Sequence, residues 1–156
     1  MAGAIDARLK ELGIELPAPA PAAANYVPYA ISGNQVFVAG QVPFAADGKL
    51  QHVGKVGAGI SIEDGQMAAK LCALNILAQV KAACHGNLER VVRCVKLGGF
   101  VNCPPDFEQH PAVINGASDL MVQVLGERGR HARFAVGASN LPFNVAVEVD
   151  AIFEIV

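Results

Sequence analysis

The stretch VAVEVDAIFEIV (residues 145–156) alternates between two kinds of side chain along its whole length. Its odd-numbered positions are all apolar, whereas its even-numbered positions include two glutamates and an aspartate. Because successive side chains of a β-strand point to opposite faces of a sheet, this period of two predicts a strand with one buried face. A buried face needs a second layer, so the C-terminus predicts a sheet that is covered on one side.

Three earlier segments predict further strands of that sheet. YVPYAISGNQVFVAG (26–40) predicts a hairpin with its turn at Ser32-Gly33-Asn34. LERVVRCVKLGGFVN (88–102) and HARFAVGA (131–138) are rich in apolar and β-branched residues and predict one strand each. KVGAG (55–59) predicts a short extended piece.

Apolar residues at helical spacing predict two helices between these strands. The first begins after Ser61, a suitable N-cap residue, and ends near Gly86. The second covers roughly 107–125. The resulting order, β-β-(β)-α-β-α-β-β, predicts an α+β fold with a mixed sheet and both helices on one face.

The N-terminal residues predict an appendage rather than a second domain. AIDARLKELG (4–13) has the spacing of a short helix, and a Pro/Ala-rich tether follows it. We therefore predict a helix and tether over residues 1–24 and the main domain over 25–156. A chain of 156 residues fits one such domain.

Composition narrows the class of protein. Hydrophobic residues make up 53% of the chain and charged residues 17%, and we expect the apolar surplus to be buried between copies of the chain. The formal net charge of −2 disfavours nucleic acid as a partner.

No apolar run predicts a membrane span or a signal peptide. The four cysteines lack metal-site spacing, so we expect reduced core thiols in a cytoplasmic protein.

Arg133 poses the main functional question, because it lies in an otherwise apolar strand. A guanidinium stays charged, and a buried charge without a partner is costly. Glu148 lies on the next strand in sequence, and the two residues together allow two interpretations. The two residues form a structural cross-strand ion pair, or they belong to a pocket in which Arg133 binds an anionic substrate and Glu148 handles protons or water.

Several separated motifs resemble the YjgF/RidA family, also described as endoribonuclease L-PSP-like proteins. ARFAVGASNLPFNVAVEVDAIFEIV (132–156) is similar to the family's C-terminal signature. GNQVFVAGQVPF (33–44) and DFEQHPAVIN (106–115) are similar to two further family motifs, in the same order. The opening RLKELGIELP (8–17) resembles the longer subgroup of the family.

This resemblance implies a chorismate-mutase-like fold with a six-stranded mixed sheet and two helices, assembled as a trimer with clefts between subunits. It implies hydrolysis of reactive 2-imino and 2-enamino acids, such as 2-aminoacrylate, to 2-keto acids and ammonia, without a cofactor. The expected partners are thus a small imino or keto acid and two further copies of the chain. A non-catalytic binder of small carboxylates is the main alternative. RNA cleavage ranks below both.

The resemblance also assigns roles to individual residues. Arg133 corresponds to the family's carboxylate-binding arginine and Glu148 to its cleft glutamate, which are the two expected catalytic residues. The expected substrate-binding residues are Tyr26, Ala39, Gly40, Asn115 and Phe134.

Three of these positions also have a purely structural interpretation. Tyr26 could pack at the start of a strand, Gly40 could serve backbone geometry, and Asn115 could be an ordinary helix-surface residue. Ala39 stands where the family usually has serine, and Phe134 and Ala135 also depart from the family pattern. These departures bear on the range of substrates.

Overall fold

The last strand, β7 (Val147–Ile155), lies in the middle of the sheet. The computed structural model of the protein describes residues 3–156. Every odd-numbered residue from Val145 to Ile155 is buried, whereas Glu148 and Asp150 retain contact with solvent. The buried face predicted from the alternation is therefore confirmed.

The elements before β7 follow the predicted order. The other strands are β1 (Tyr29–Ser32), β2 (Gln35–Gln41), β3 (Lys55–Val56), β4 (Gly59–Ile60), β5 (Val91–Asn102) and β6 (Ala132–Ala138). The helices are α1 (Ala4–Glu11), α2 (Ile62–Ala83) and α3 (His110–Leu125). Short 3-10 turns cover Leu88–Arg90, Gly126–Gly129 and Pro142–Asn144.

The described part of the chain forms a mixed sheet of five strands in the order β1-β2-β7-β5-β6. Neighbouring strands are antiparallel except β5 and β6, which are parallel. Strands β6 and β7 follow each other in sequence, but β5 lies between them in the sheet.

The prediction of six strands is wrong by one. The segment KVGAG does not join the main sheet, because the chain makes a tight loop at Gly57 and Gly59, which have φ of +91° and +109°. Such angles are readily adopted only by glycine. Strands β3 and β4 pair with each other as a separate two-stranded ladder.

Helices α2 and α3 pack side by side on the face of the sheet that carries the buried residues of β7. The Oγ of Ser61 accepts a hydrogen bond from the backbone N–H of Asp64 at 3.0 Å, which confirms the predicted start of α2. Helix α3 begins at His110 rather than near 107, because the chain first makes a turn at Pro105–Asp106.

The N-terminal helix packs on its own chain. Ile5 and Leu9 of α1 are 2% and 6% exposed, and α1 contacts α3. The tether that follows is fixed in part by Gln79 of α2, whose Nε2 donates to the carbonyl of Ala20 at 2.8 Å.

The opposite face of the sheet carries no helix among the described residues. We call it the open face. It exposes large apolar side chains, among them Phe37 and Val136, which are 41% and 43% exposed. None of the helices between residues 3 and 156 is both long and apolar enough to cross a bilayer.

Candidate active site

Arg133 lies on the edge strand β6, opposite Leu97 of β5, and its side chain reaches helix α3. Its Nη1 donates to the Oδ1 of Asn115 at 2.8 Å and to the Oγ of Ser118 at 3.1 Å. Asn115 and Ser118 are one helical turn apart and so share a face of α3. Both hydrogen bonds use Nη1, which leaves Nη2 and Nε of the guanidinium to bind a ligand.

The network continues from Ser118 to His131. The Nδ1 of His131 is 2.6 Å from the carbonyl of Gly129, and its Nε2 is 2.8 Å from the Oγ of Ser118. A carbonyl only accepts, so Nδ1 carries the hydrogen, and in the neutral ring Nε2 accepts from the Ser118 hydroxyl. The hydroxyl oxygen is then free to accept from Arg133. Ser118 was not predicted from the sequence, although its position three residues after Asn115 indicates the same helix face.

The alternative in which Arg133 and Glu148 form a cross-strand ion pair is wrong for a single chain. Arg133 takes part in none of the ion pairs formed by residues 3–156. Strand β5 separates the two strands that carry these residues. The register also places Arg133 in a row with Ala151, an odd number of positions from Glu148, so the two side chains lie on opposite faces.

Glu148 lies on the open face, opposite Phe100 of β5. Partial burial raises the pKa of its carboxyl group, and the nearby Asp150 carboxylate raises it further. Both effects disfavour the ionised form. A carboxyl group of this kind exchanges protons closer to neutral pH than an ordinary glutamate, as a general acid or base requires.

A bulge in β2 brings Ala39 and Gly40 beside this carboxyl group. The register of β2 against β7 shifts between Val38 and Gln41, so two residues of β2 stand opposite one residue of β7. A Cβ atom at position 40 would overlap the Oε2 of Glu148. The absence of a side chain at Gly40 therefore leaves room for the glutamate.

These residues line a pocket of about 360 Å³ on the open face. Four of the residues predicted from the sequence meet here: Tyr26, Ala39, Gly40 and Glu148. Phe143 was not predicted as a site residue, because the sequence of its segment predicts only a turn. It lines the same pocket, is 67% exposed and has a φ of +58°.

Phe134 lies beside Arg133 in sequence but faces the other way. Its ring contacts Phe100 edge-on, with the ring centroids 5.3 Å apart, and the Nζ of Lys96 lies 5.3 Å from its centroid. Phe134 thus shares the open face with Glu148, whereas Asn115 and Arg133 meet on the helical side.

The structure therefore divides the predicted residues into two groups. We call Arg133, Asn115, Ser118 and His131 the arginine half-site, and Tyr26, Ala39, Gly40 and Glu148 the glutamate half-site. The first presents a cation and the second a proton-exchanging group in a largely apolar pocket.

Two other features contribute nothing to these half-sites. A larger groove of about 680 Å³ between α1 and α2 contains none of the predicted residues. Within residues 3–156, no group of three or more His, Cys, Asp or Glu side chains is placed to hold a metal ion.

Comparison with known proteins identifies the family. A model described as "YjgF/chorismate mutase-like, putative endoribonuclease" matches residues 6–155. The chain belongs to the YjgF/RidA family. The resemblance inferred from its motifs is thus confirmed, and its α+β architecture matches that of the family.

Three YjgF/RidA relatives are similar over nearly the whole chain. Protein TCP17 from Trypanosoma cruzi is 50% identical over 98% of this chain and 95% of its own. The crystal structure of Atu1372 from Agrobacterium tumefaciens, a protein of unknown function, is 54% identical with a TM-score of 0.91, covering 97% of this chain and 92% of that one. A Shewanella oneidensis structure described as a "putative endoribonuclease" is 37% identical with a TM-score of 0.93, covering 98% and 100%.

Proposed function

We propose that this protein hydrolyses reactive 2-imino and 2-enamino acids, such as 2-aminoacrylate, to 2-keto acids and ammonia. The reaction takes place in clefts between the subunits of a homotrimer. The observation that carries the proposal is the division of the site: an anchored guanidinium without a carboxylate partner among residues 3–156, and a proton-exchanging carboxyl group on the opposite face of the sheet. Neither half-site combines a cation for the substrate carboxylate with a proton-exchanging group, so each needs the other half-site from another copy of the chain.

Association of subunits supplies that complement. In a cyclic assembly, one surface of each subunit contacts a different surface of the next, so the arginine half-site of one copy can meet the glutamate half-site of its neighbour. The exposed apolar side chains of the open face favour such burial.

Arg133 holds the substrate by its carboxylate. The planar guanidinium matches a carboxylate with two parallel hydrogen bonds, here from Nη2 and Nε. Asn115 and Ser118 fix Nη1 and so orient the remaining donors before the substrate arrives. A preorganised donor pair positions the imine carbon for attack and reduces the entropic cost of the reaction.

Glu148 handles the protons of hydrolysis. Its carboxylate accepts a proton from a water molecule whose oxygen attacks the imine carbon, and the C=N π electrons move onto nitrogen. The protonated Glu148 returns the proton to nitrogen, which gives a carbinolamine. Glu148 then takes the hydroxyl proton of this intermediate and passes it to nitrogen, so that the C–N bond breaks, ammonia leaves and the keto C=O bond forms. The raised pKa suits both directions of transfer. An enamine first gains a proton at its β-carbon and then follows the same route.

The test couples the purified protein to an amino-acid oxidase that generates 2-imino acids with side chains of several sizes. We expect faster decay of the imino acids than in buffer, and a loss of on the order of 100-fold in kcat/KM for Arg133→Ala. Arg130→Ala is the matched control, because Arg130 lies nearby but is exposed and pairs with Glu127.

Three results would overturn the proposal. One is no acceleration with any imino acid. Another is undiminished acceleration in Arg133→Ala. The third is saturable binding of keto acids, lost in that variant, without turnover, which would establish the carboxylate binder instead. Incubation of the same preparation with RNA checks the ribonuclease alternative, which predicts cleavage that depends on Arg133 or His131.

A further inference from the structure

A second pocket, of about 460 Å³, lies at the end of β6 that is remote from Arg133. Cys103, just after β5, and His110, the first residue of α3, both line it. The Sγ of Cys103 lies 3.4 Å from the Nε2 of His110, which is hydrogen-bonding distance for sulfur. A thiol beside an imidazole is the arrangement of an activated nucleophile and its base.

Gly137 leaves an opening over this pair at the edge of the sheet, where Cys103 is 6% exposed. A Cβ at position 137 would lie 2.7 Å from the Nε2 of His110 and 2.9 Å from the Sγ of Cys103. The φ of Gly137 is outside the left-handed region, so backbone conformation does not require glycine there. Any larger residue would cover the pair.

The ring of His110 is held in place by Phe107. The two rings meet at 90° with their centroids 5.3 Å apart. His110 also opens helix α3, where the helix dipole favours a negative charge such as a thiolate.

The charged groups facing the thiol are Lys55 and Asp106, and the titratable ring of His110 faces it as well. Burial raises the pKa of the Cys103 thiol, the Lys55 ammonium opposes that rise, and Asp106 adds a smaller rise. The resting thiol is therefore protonated at neutral pH and needs a base in order to react. The Nζ of Lys55 donates to the Oδ1 of Asn102 and the carbonyl of Ser139, which leaves one N–H for a ligand.

We propose that Cys103 and His110 form a second reactive site, which takes small carboxylates that carry an electrophilic carbon. Lys55 receives the carboxylate. The Sγ lone pair forms an S–C bond while the thiol proton passes to the Nε2 of His110. With an α,β-unsaturated carboxylate the C=C electrons move to the α-carbon, which then takes up that proton. With a haloacetate the C–halogen bond breaks and the halide leaves with the bonding pair.

The experiment alkylates the folded protein with iodoacetate or iodoacetamide and measures modification of each cysteine by peptide mass spectrometry. Cys72, Cys84 and Cys94 are 0% exposed and serve as internal references. We expect Cys103 to react at least ~10-fold faster than these three. His110→Gln should slow the reaction of Cys103 on the order of 100-fold, the usual contribution of a base.

Two further variants test whether Lys55 binds the carboxylate and whether Gly137 leaves the route to Cys103 open. Lys55→Gln should lower the ratio of the iodoacetate rate to the iodoacetamide rate at Cys103 several-fold. Because the ratio compares two reagents at one thiol, it does not depend on a change in exposure. Gly137→Ala should block alkylation, whereas Val136→Ala, at an exposed neighbouring position, should not.

Equal rates at all four cysteines, or an unchanged Cys103 rate in His110→Gln, would overturn the proposal of a reactive pair. An unchanged reagent ratio in Lys55→Gln would overturn the assignment of carboxylates. The imine hydrolysis test does not involve Cys103, so either proposal can fail without the other.

Discussion

Arg133 and Glu148 lie on opposite faces of one sheet, with strand β5 between the strands that carry them. The guanidinium donates hydrogen bonds to side chains of α3, whereas the carboxyl group lines the pocket on the open face. Two groups placed in this way cannot act on one small substrate within a single chain. In the proposed trimer, Arg133 of one copy meets Glu148 of a neighbouring copy.

Mixing two inactive variants should restore activity. Arg133→Ala lacks the arginine half-site and Glu148→Gln lacks the glutamate half-site, so one cleft in four of a randomly mixed trimer receives both intact halves. We expect about one quarter of wild-type activity after unfolding and refolding a 1:1 mixture. The measurement is imine decay, with sedimentation to verify three times the 16.2 kDa chain mass. A monomer, or no recovery in a verified mixed trimer, would contradict clefts between subunits.

Asn115→Ala should raise KM and leave kcat nearly unchanged. The Asn115 side chain orients Arg133 rather than touching the reacting atoms, and a hydrogen bond to a charged group contributes about 1.5–3 kcal/mol. Since Ser118 still holds Nη1, we expect about a 10-fold increase in KM. Gln123→Ala, also exposed on α3, is the control. Equal falls in kcat for both variants would indicate a general effect on the helix instead.

Glu148→Gln should change how stability depends on pH. The folded-state pKa of Glu148 is raised, by burial first and by Asp150 second, so the folded protein binds this proton more tightly than the unfolded chain. Its stabilising contribution is complete below the unfolded pKa and is lost as pH rises through the folded pKa. The wild type should therefore lose stability relative to Glu148→Gln between mildly acidic and neutral pH.

That loss should stay below about 1 kcal/mol, because solvent still screens a partly buried carboxylate. Urea unfolding at fixed protein concentration measures it. A gain of wild-type stability over the same pH range would mean that the pKa of Glu148 is lowered.

Gly40→Ala should reduce kcat with little effect on stability. The new methyl group would occupy the position of the Glu148 Oε2, and the flexible carboxylate can move away at low cost in folding free energy. A displaced catalytic group reduces the rate on the order of 100-fold. Ala39→Ser, the neighbouring change, should retain most activity. Adding Gly40→Ala to Glu148→Gln should have little further effect; a full additional loss would show that Gly40 acts independently of Glu148.

Ser61→Ala should lower the free energy of unfolding by about 1 kcal/mol. The variant removes the side-chain oxygen that accepts from the N–H of Asp64 at the start of α2. Ser32→Ala, in the exposed hairpin, should change stability by less than about 0.5 kcal/mol. Urea denaturation compares the two. Similar losses in both would argue against capping at Ser61.

The sequence predicted most individual elements because their signals are local. The hairpin around Gly33, the cap at Ser61 and the two-residue period of the last strand each depend on neighbours in the chain. The failure at residues 55–59 is also local in origin. A short run containing glycines fits a strand or a tight loop. The positive φ angles of Gly57 and Gly59 belong to a tight loop, after which β4 runs parallel to β3.

Residue chemistry by itself marked Arg133 and Glu148 as a charge in an apolar strand and a nearby carboxylate, and the motifs placed them in a family. Only the tertiary structure decided how they relate. A strand's sequence fixes which of its residues share a face, but it does not fix which strand lies beside it, because backbone hydrogen bonds are the same for every partner. The insertion of β5 between β6 and β7 separated the two residues, and the packing of α3 gave Arg133 its contacts with Asn115 and Ser118.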